Sequence, residues 1–336
     1  MIKCPPTGGN PHVTIGVNTM VISAVARAGP QPNVGADGGL AVNVRGLRKR
    51  YGDVEVVRGI DLSVDTGEVF AFLGPNGAGK STTVEMLEGY RRREAGQVAV
   101  LGEDPARPTL AWRARIGVVL QTSKMPAELT VQELVDRYAG FYPHPRSVEE
   151  TIELVGLSDK RRARAGKLSG GQLRRLDVAL AIVGDPELVF LDEPTTGFDP
   201  AARHQAWELV QDLRRLGKTI FLTTHFMDEA EALADRVAVI VAGEIVAEGT
   251  PQTLGGRNTA PVEIRFQQLP GMDLRLPGGP IMQSDGHRIT IQTTEPVTTL
   301  GALLDWARTQ RCDLPGLEVR PPGLEDIYLR LTGART

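Results

Sequence analysis

No stretch of the 336 residues reaches the roughly 18 consecutive apolar residues of a membrane-spanning helix. Cysteine is scarce: Cys4 and Cys312 stand far apart, with no CxxC spacing. That excludes a disulfide framework or a zinc site and fits a reducing compartment. A net charge of -3 gives no overall basic field to attract nucleic acid. Local basic clusters (Leu47–Tyr51, Arg91–Glu94) read as solvated loops or helix ends. The apolar block Val13–Gly29 is weak and is interrupted by Thr14, Asn18 and Thr19, which argues against a secretory signal. Residues 1–38 are rich in Gly, Pro and Asn. They read as a disordered N-terminal extension, or as the product of a start placed ahead of Met20. What is present, 41% hydrophobic and 24% charged residues, is the balance of a globular chain.

From Ala41 onward short apolar strands begin. "AVNVRGL" and "IDLSV" alternate as half-buried strands do. "EVFAFLG" (Glu68–Gly74), "RIGVVLQ" (Arg115–Gln121) and "ELVFLDEP" are continuous apolar runs, as in buried parallel strands. "KSTTVEMLEGY" and "PAARHQAWELVQDLRRLG" read as helices, and "KTIFLTTH", "RVAVIVAG" and "EIVAEG" as strands. Thr130 to about Val183 carries helical spacing, and Thr130 with Glu133 predicts a capping box. Strands alternating with helices imply an α/β core with a mainly parallel sheet and one inserted helical block. After about Gly255, three strand-like and two helix-like segments predict a small α+β appendage without a catalytic constellation. Packing, dimerisation and regulation are all open roles for it.

"GPNGAGKS" (Gly74–Ser81) matches GxxxxGK(S/T) between a buried strand and a helix, the context this motif requires. Its glycines let backbone N–H groups curl around phosphate oxygens, and the helix points its positive end at the same anion. Lys80 reaches the β/γ-phosphates and the Ser81 hydroxyl suits Mg²⁺. Asp192 ends an apolar strand, where a carboxylate has no packing role, and suits Mg²⁺ directly or through water. Glu193 follows, placed to polarise an attacking water; the blander reading is that these acids cap the next helix. "LSGGQLRRLDVAL" (Leu168–Leu180) sets Ser169, Gly170 and Gly171 before a helix whose N-terminus is free to face a second anion. Arg174 and Arg175 are expected on the exposed face of that helix rather than in contact with phosphate.

With these motifs in order, residues 40–250 resemble the nucleotide-binding subunits of ABC (ATP-binding cassette) proteins. The LSGGQ stretch, Leu168–Gln172, matches the family signature letter for letter and is the most specific element. The resemblance implies an α/β P-loop NTPase (RecA-like) core with an N-terminal antiparallel β subdomain. It also implies an inserted α-helical subdomain at about 122–183. A cassette over 39–254 would be followed by a C-terminal accessory α+β domain over 258–336. It implies that Tyr51 stacks on adenine and that Gly74, Pro75, Asn76, Gly77, Ala78, Gly79, Lys80, Ser81 and Thr82 hold the phosphates. Ser81, Gln121 of the Q-loop and Asp192 would serve Mg²⁺, while Glu193, His225, Lys80 and Gln121 would form the catalytic set. Leu168, Ser169, Gly170, Gly171, Gln172 and the D-loop's Asp199 would bind ATP held by a partner subunit. Phe198 departs from the Leu usual in "TGFDP". The remaining histidines (His12, His144, His204, His287) have no partners at ligand spacing and read as structural.

The implied activity is hydrolysis of two MgATP in a head-to-tail homodimer, driving transport through a separate polytopic membrane permease. The cassette would then lie peripherally on the cytoplasmic face of the membrane, with cargo contacted by the permease and no direct nucleic acid. The signature region, "HFMDEAEALADRVAVI" and "LEDIYLRLTG" resemble ATPases of bacterial antibiotic and multidrug exporters of the daunorubicin-resistance type. An importer ATPase is the alternative, as is a non-transport ATPase acting on ribosomes or DNA. One phosphate loop, one signature and about 90 intervening residues without sustained heptads disfavour the latter.

Overall fold

The computed structural model describes residues 39–121, 125–267, 281–284 and 287–333, with backbone only at 281–283. The expected N-terminal extension and the beginning of the helical block at 122–124 lie outside the described residues. In chain order the elements begin with β1 (Leu40–Tyr51), β2 (Val54–Asp65), β3 (Val69–Leu73), α1 (Lys80–Leu87) and β4 (Ala95–Val100). Next come α2 (Leu110–Ala114), β5 (Ile116–Val119), α3 (Val131–Ala139), α4 (Val148–Leu154), α5 (Gly170–Ile182), β6 (Leu188–Asp192) and α6 (Pro200–Arg215). Then follow β7 (Thr219–Thr224), α7 (Met227–Leu233), β8 (Arg236–Val241) and β9 (Glu244–Gly249). The C-terminal set is β10 (Val262–Gln267), β11 (Ile281–Ser284), β12 (Arg288–Thr293), α8 (Pro296–Gln310), β13 (Glu318–Arg320) and α9 (Leu324–Gly333). The described residues fall into two compact units. One holds Leu40–Ala106 with Thr219–Thr336, and the other holds Arg107–Lys218.

In the first unit, β1 and β2 form a long antiparallel hairpin through Gly52 and Asp53, with Gly52 at φ 58 supplying the turn. β4 completes this antiparallel sheet on the other side of β1. β3 is buried at every position and pairs in parallel with β7 and β8. A strand covered on both faces needs apolar residues throughout, which explains the unbroken VFAFL. β9 returns antiparallel to β8. The C-terminal strands form a second antiparallel sheet, ordered β11-β12-β10-β13. α8 packs on it through Leu303 and Ala307 against Ile264, Phe266, Ile289 and Ile291. α9 is no loose tail: its buried Leu324 shares one apolar cluster with Ala71 and Leu73 of β3, Val237 and Val239 of β8, and Ala230 of α7.

In the second unit, β5 and β6 pair in parallel. α3 opens on the expected capping box, with Thr130 Oγ1 accepting from the Glu133 N–H and the Glu133 carboxylate accepting from the Thr130 N–H. α5 is capped in the same reciprocal way by Ser169 and Gln172. α6 starts at Asp199, whose carboxylate accepts from the Ala202 N–H, with Pro200 in the first turn.

Candidate functional site

The phosphate loop follows directly from the buried end of β3. A Cβ on Gly74 would lie 2.5 Å from the Ile240 carbonyl oxygen and 2.8 Å from its Cγ2, so no side chain fits. Gly79, at φ 107, caps α1 in the left-handed region, and a Cβ there would meet Val56 O at 2.8 Å. The loop is thus a bare backbone cradle at the N-terminus of α1. Lys80 is buried, and its ammonium donates to the carbonyls of Gly74 (2.6 Å) and Pro75 (3.2 Å), which pins the charge inside the loop. The Gly243 N–H donates to Ala78 O at 3.0 Å and fixes the loop's far side. Pro75, Asn76, Gly77 and Ser81 are exposed; Thr82 is half-buried.

Two more sequence-predicted residues belong to this unit. Tyr51, at the end of β1, is exposed, and its ring lies 5.3 Å from the Arg91 guanidinium and 5.4 Å from the Lys49 ammonium. A hydrogen bond and ion pair to Glu85 holds the Arg91 charge and raises its pKa further. His225 follows β7, whose register pairs Thr224 with Leu73. It therefore stands beside Gly74 at the carboxyl edge of the sheet, half-buried against the Phe226 ring.

The second unit carries the acids. β6 is apolar and buried up to Leu191 and delivers the half-buried Asp192 and Glu193 at its end. Glu193 sits at φ 44, a left-handed conformation that costs a non-glycine residue about 1–3 kcal/mol. Its Oε2 accepts from Gln121 Nε2 at 3.3 Å and from Thr196 Oγ1 at 3.1 Å. The Q-loop glutamine and the acid are therefore already in contact. One open cavity of about 1240 Å³ is lined by Gln121, Glu193, Asp199 and the signature residues Ser169, Gly170, Gly171 and Gln172. Gly170 has open space where a Cβ would stand, and at Gly171 a Cβ would make only an ordinary 3.8 Å contact with Ala202. Leu168 anchors the segment by burial, while Ser169 and Gly170 are exposed.

The expectation for Arg174 is corrected. It does not lie on the exposed face of α5; it is half-buried and points inward, donating to the carbonyls of Leu120, Asp192 (2.7 Å) and Pro194 (3.2 Å). Arg175 is half-buried too and donates to Gln205 of α6. Helix spacing alone marks both as surface positions, because their acceptors come from segments remote in sequence. Among the described residues no group of three or more His, Cys, Asp or Glu could hold a metal unaided.

Comparisons with known proteins give the family. The family profile described as "ABC transporter" matches residues 57–196. A second profile, "ABC transporter domain-containing protein-like, C-terminal domain", matches residues 259–323. The chain is 41% identical over 308 residues to the "Nod factor export ATP-binding protein I" of Rhizobium sp. (strain N33), covering 88% of this chain and 97% of the relative. The protein of the same name from Ralstonia nicotianae is 38% identical, covering 90% and 97%. Among solved structures, the ADP conformation of MJ1267, an ATP-binding cassette of an ABC transporter, matches with TM-score 0.57 and 26% identity, over 63% of this chain and 91% of that one. With its P-loop NTPase fold, phosphate cradle and signature helix, the chain belongs to the ABC transporter family as an ATP-binding subunit, an ATPase that uses MgATP.

Proposed function

We propose that this subunit powers export through a separate membrane permease. The export reading rests on the relatives, and the observation that carries the paired nucleotide site within it is the exposed, uncluttered signature end of α5 opening onto the same cavity as Glu193 and Gln121. An anion-binding helix end with no requirement for glycine in its own packing is built for a ligand held elsewhere. That ligand is the nucleotide of a second copy, which makes the working unit a head-to-tail homodimer. Within it, Gly74–Thr82 hold the phosphates and Tyr51 stacks on adenine. Ser81, Asp192 and Gln121 serve Mg²⁺, which neutralises phosphate charge when bound. Glu193 accepts the proton of the attacking water and His225 senses the γ-phosphate. Leu168, Ser169, Gly170, Gly171, Gln172 and Asp199 act in trans.

Export, rather than import, is favoured by the relatives, whose names are those of Nod factor export proteins. Daunorubicin-type drugs and antibiotics are one cargo class within this reading; the permease, not this chain, contacts the cargo. The proposed place is peripheral, on the cytoplasmic face of the membrane beside the permease, in keeping with the exporter ATPases the chain resembles; no helix of the described residues is long and apolar enough to cross a membrane. Residues 39–254 form the cassette and 258–336 the accessory domain in this reading, with 1–38 an extension.

The test is a gentle-detergent pull-down from native membranes with partners identified by mass spectrometry. A co-purifying polytopic membrane protein supports the export reading. A ribosomal or DNA-bound partner without one overturns it.

A further inference from the structure

Arg174 ties together three pieces of backbone that the proposed chemistry depends on. Its acceptors include Leu120 O, Asp192 O and Pro194 O. Leu120 precedes Gln121; Asp192 and Pro194 flank Glu193 on either side. A planar guanidinium, with five N–H donors in a fixed fork, suits this better than any other side chain. The Glu193 backbone it brackets is left-handed, a conformation that persists only where the surroundings over-determine it. Gln121, the residue after Leu120, donates from its side-chain amide to the Glu193 carboxylate at 3.3 Å. Arg174 itself belongs to α5, whose N-terminus is the signature.

We infer that Arg174 is a positioning residue for ATP hydrolysis. It holds the Glu193 carboxylate and the Gln121 amide in fixed relation to the signature helix. The acid and the signature then move as one body. Arg174 touches no substrate and makes no bond in the reaction. The inference rests on the reading of Glu193 as the base for the attacking water.

The experiment measures MgATP hydrolysis and nucleotide binding by the full chain and by Arg174→Gln, Arg174→Lys, Glu193→Gln and Arg174→Gln/Glu193→Gln. Arg174→Gln lowers kcat about tenfold to a hundredfold, the scale of a slight misplacement of a reacting group, while nucleotide affinity stays within about twofold. Arg174→Lys recovers part of the rate, because a single ammonium replaces only part of the fork. In the Glu193→Gln background, Arg174→Gln costs nothing further, since both changes act through one carboxylate. Wild-type kcat in Arg174→Gln, beside an inactive Glu193→Gln, overturns the inference and leaves the Glu193 reading intact. Near-normal hydrolysis by Glu193→Gln overturns the Glu193 reading first and the inference with it. If both Arg174 variants lose melting temperature and nucleotide binding in proportion to rate, Arg174 is merely structural and the inference fails.

Discussion

Gly74 and Gly79 of the phosphate loop, and Gly170 and Gly171 of the signature, stand in opposite relations to their own fold. At the first pair a Cβ would strike backbone oxygen at 2.5 and 2.8 Å. At the second it would meet open space or an ordinary 3.8 Å contact. The phosphate loop needs glycine to fold, before any ligand arrives. The signature does not, and its glycines sit in the first turn of α5, where glycine is a poor helix former. A glycine that costs stability and that packing does not require is there for something outside the chain. Stability and hydrolysis should therefore separate at one pair and not at the other.

The largest effect is expected at the phosphate loop. Gly79→Ala forces an alanine to φ 107 and against Val56 O. It should cost about 1–3 kcal/mol or more in thermal unfolding and abolish nucleotide binding as well. Gly170→Ala with Gly171→Ala should do the reverse. The nucleotide-free chain should keep or gain stability, by up to about 1 kcal/mol per site, while hydrolysis falls sharply. A signature variant that melts early would erase the contrast.

The smallest effect sharpens it from the other end of the same helix. Asp185, just past α5, pairs with Lys218 at 2.8 Å and Arg146 at 3.1 Å. Burial pushes its carboxyl up, but these two cations outweigh burial and hold it below the ordinary aspartate range. A folded-state pKa below the unfolded value of about 3.9 means that its contribution is present above pH 4 and is lost as pH falls through the folded pKa. Asp185→Asn should cost under about 1 kcal/mol at pH 7, because the carboxylate is half exposed, and should blunt the acid limb of a stability profile. Hydrolysis at neutral pH should not change.

Much of this was legible in the residues. Apolar runs gave β3, β5 and β6, and the Thr130–Glu133 pair gave the start of α3. The motifs set the phosphate loop, Gln121 and Glu193 at strand ends, but the 3.3 Å hydrogen bond between Gln121 and Glu193 is visible only in the folded chain. What was not legible depends on tertiary partners. The inward turn of Arg174 requires carbonyls from just past β5 and from the end of β6 to converge beside α5, which periodicity does not encode. The LEDIYLRLTG helix, α9, reads as part of an appendage. Its Leu324 nevertheless joins the cluster of β3 and β8, which only the folded chain brings together.

A nucleotide shared between two copies of the chain is probed by mixing two inactive chains. One carries Lys80→Ala, and the other carries Ser169→Arg with Gly171→Asp. A mixed dimer keeps one intact phosphate loop facing one intact signature. At equal amounts half the dimers are mixed, each with one of two sites intact, so a shared nucleotide gives recovery to about a quarter of the wild-type rate. No recovery at any ratio would contradict it.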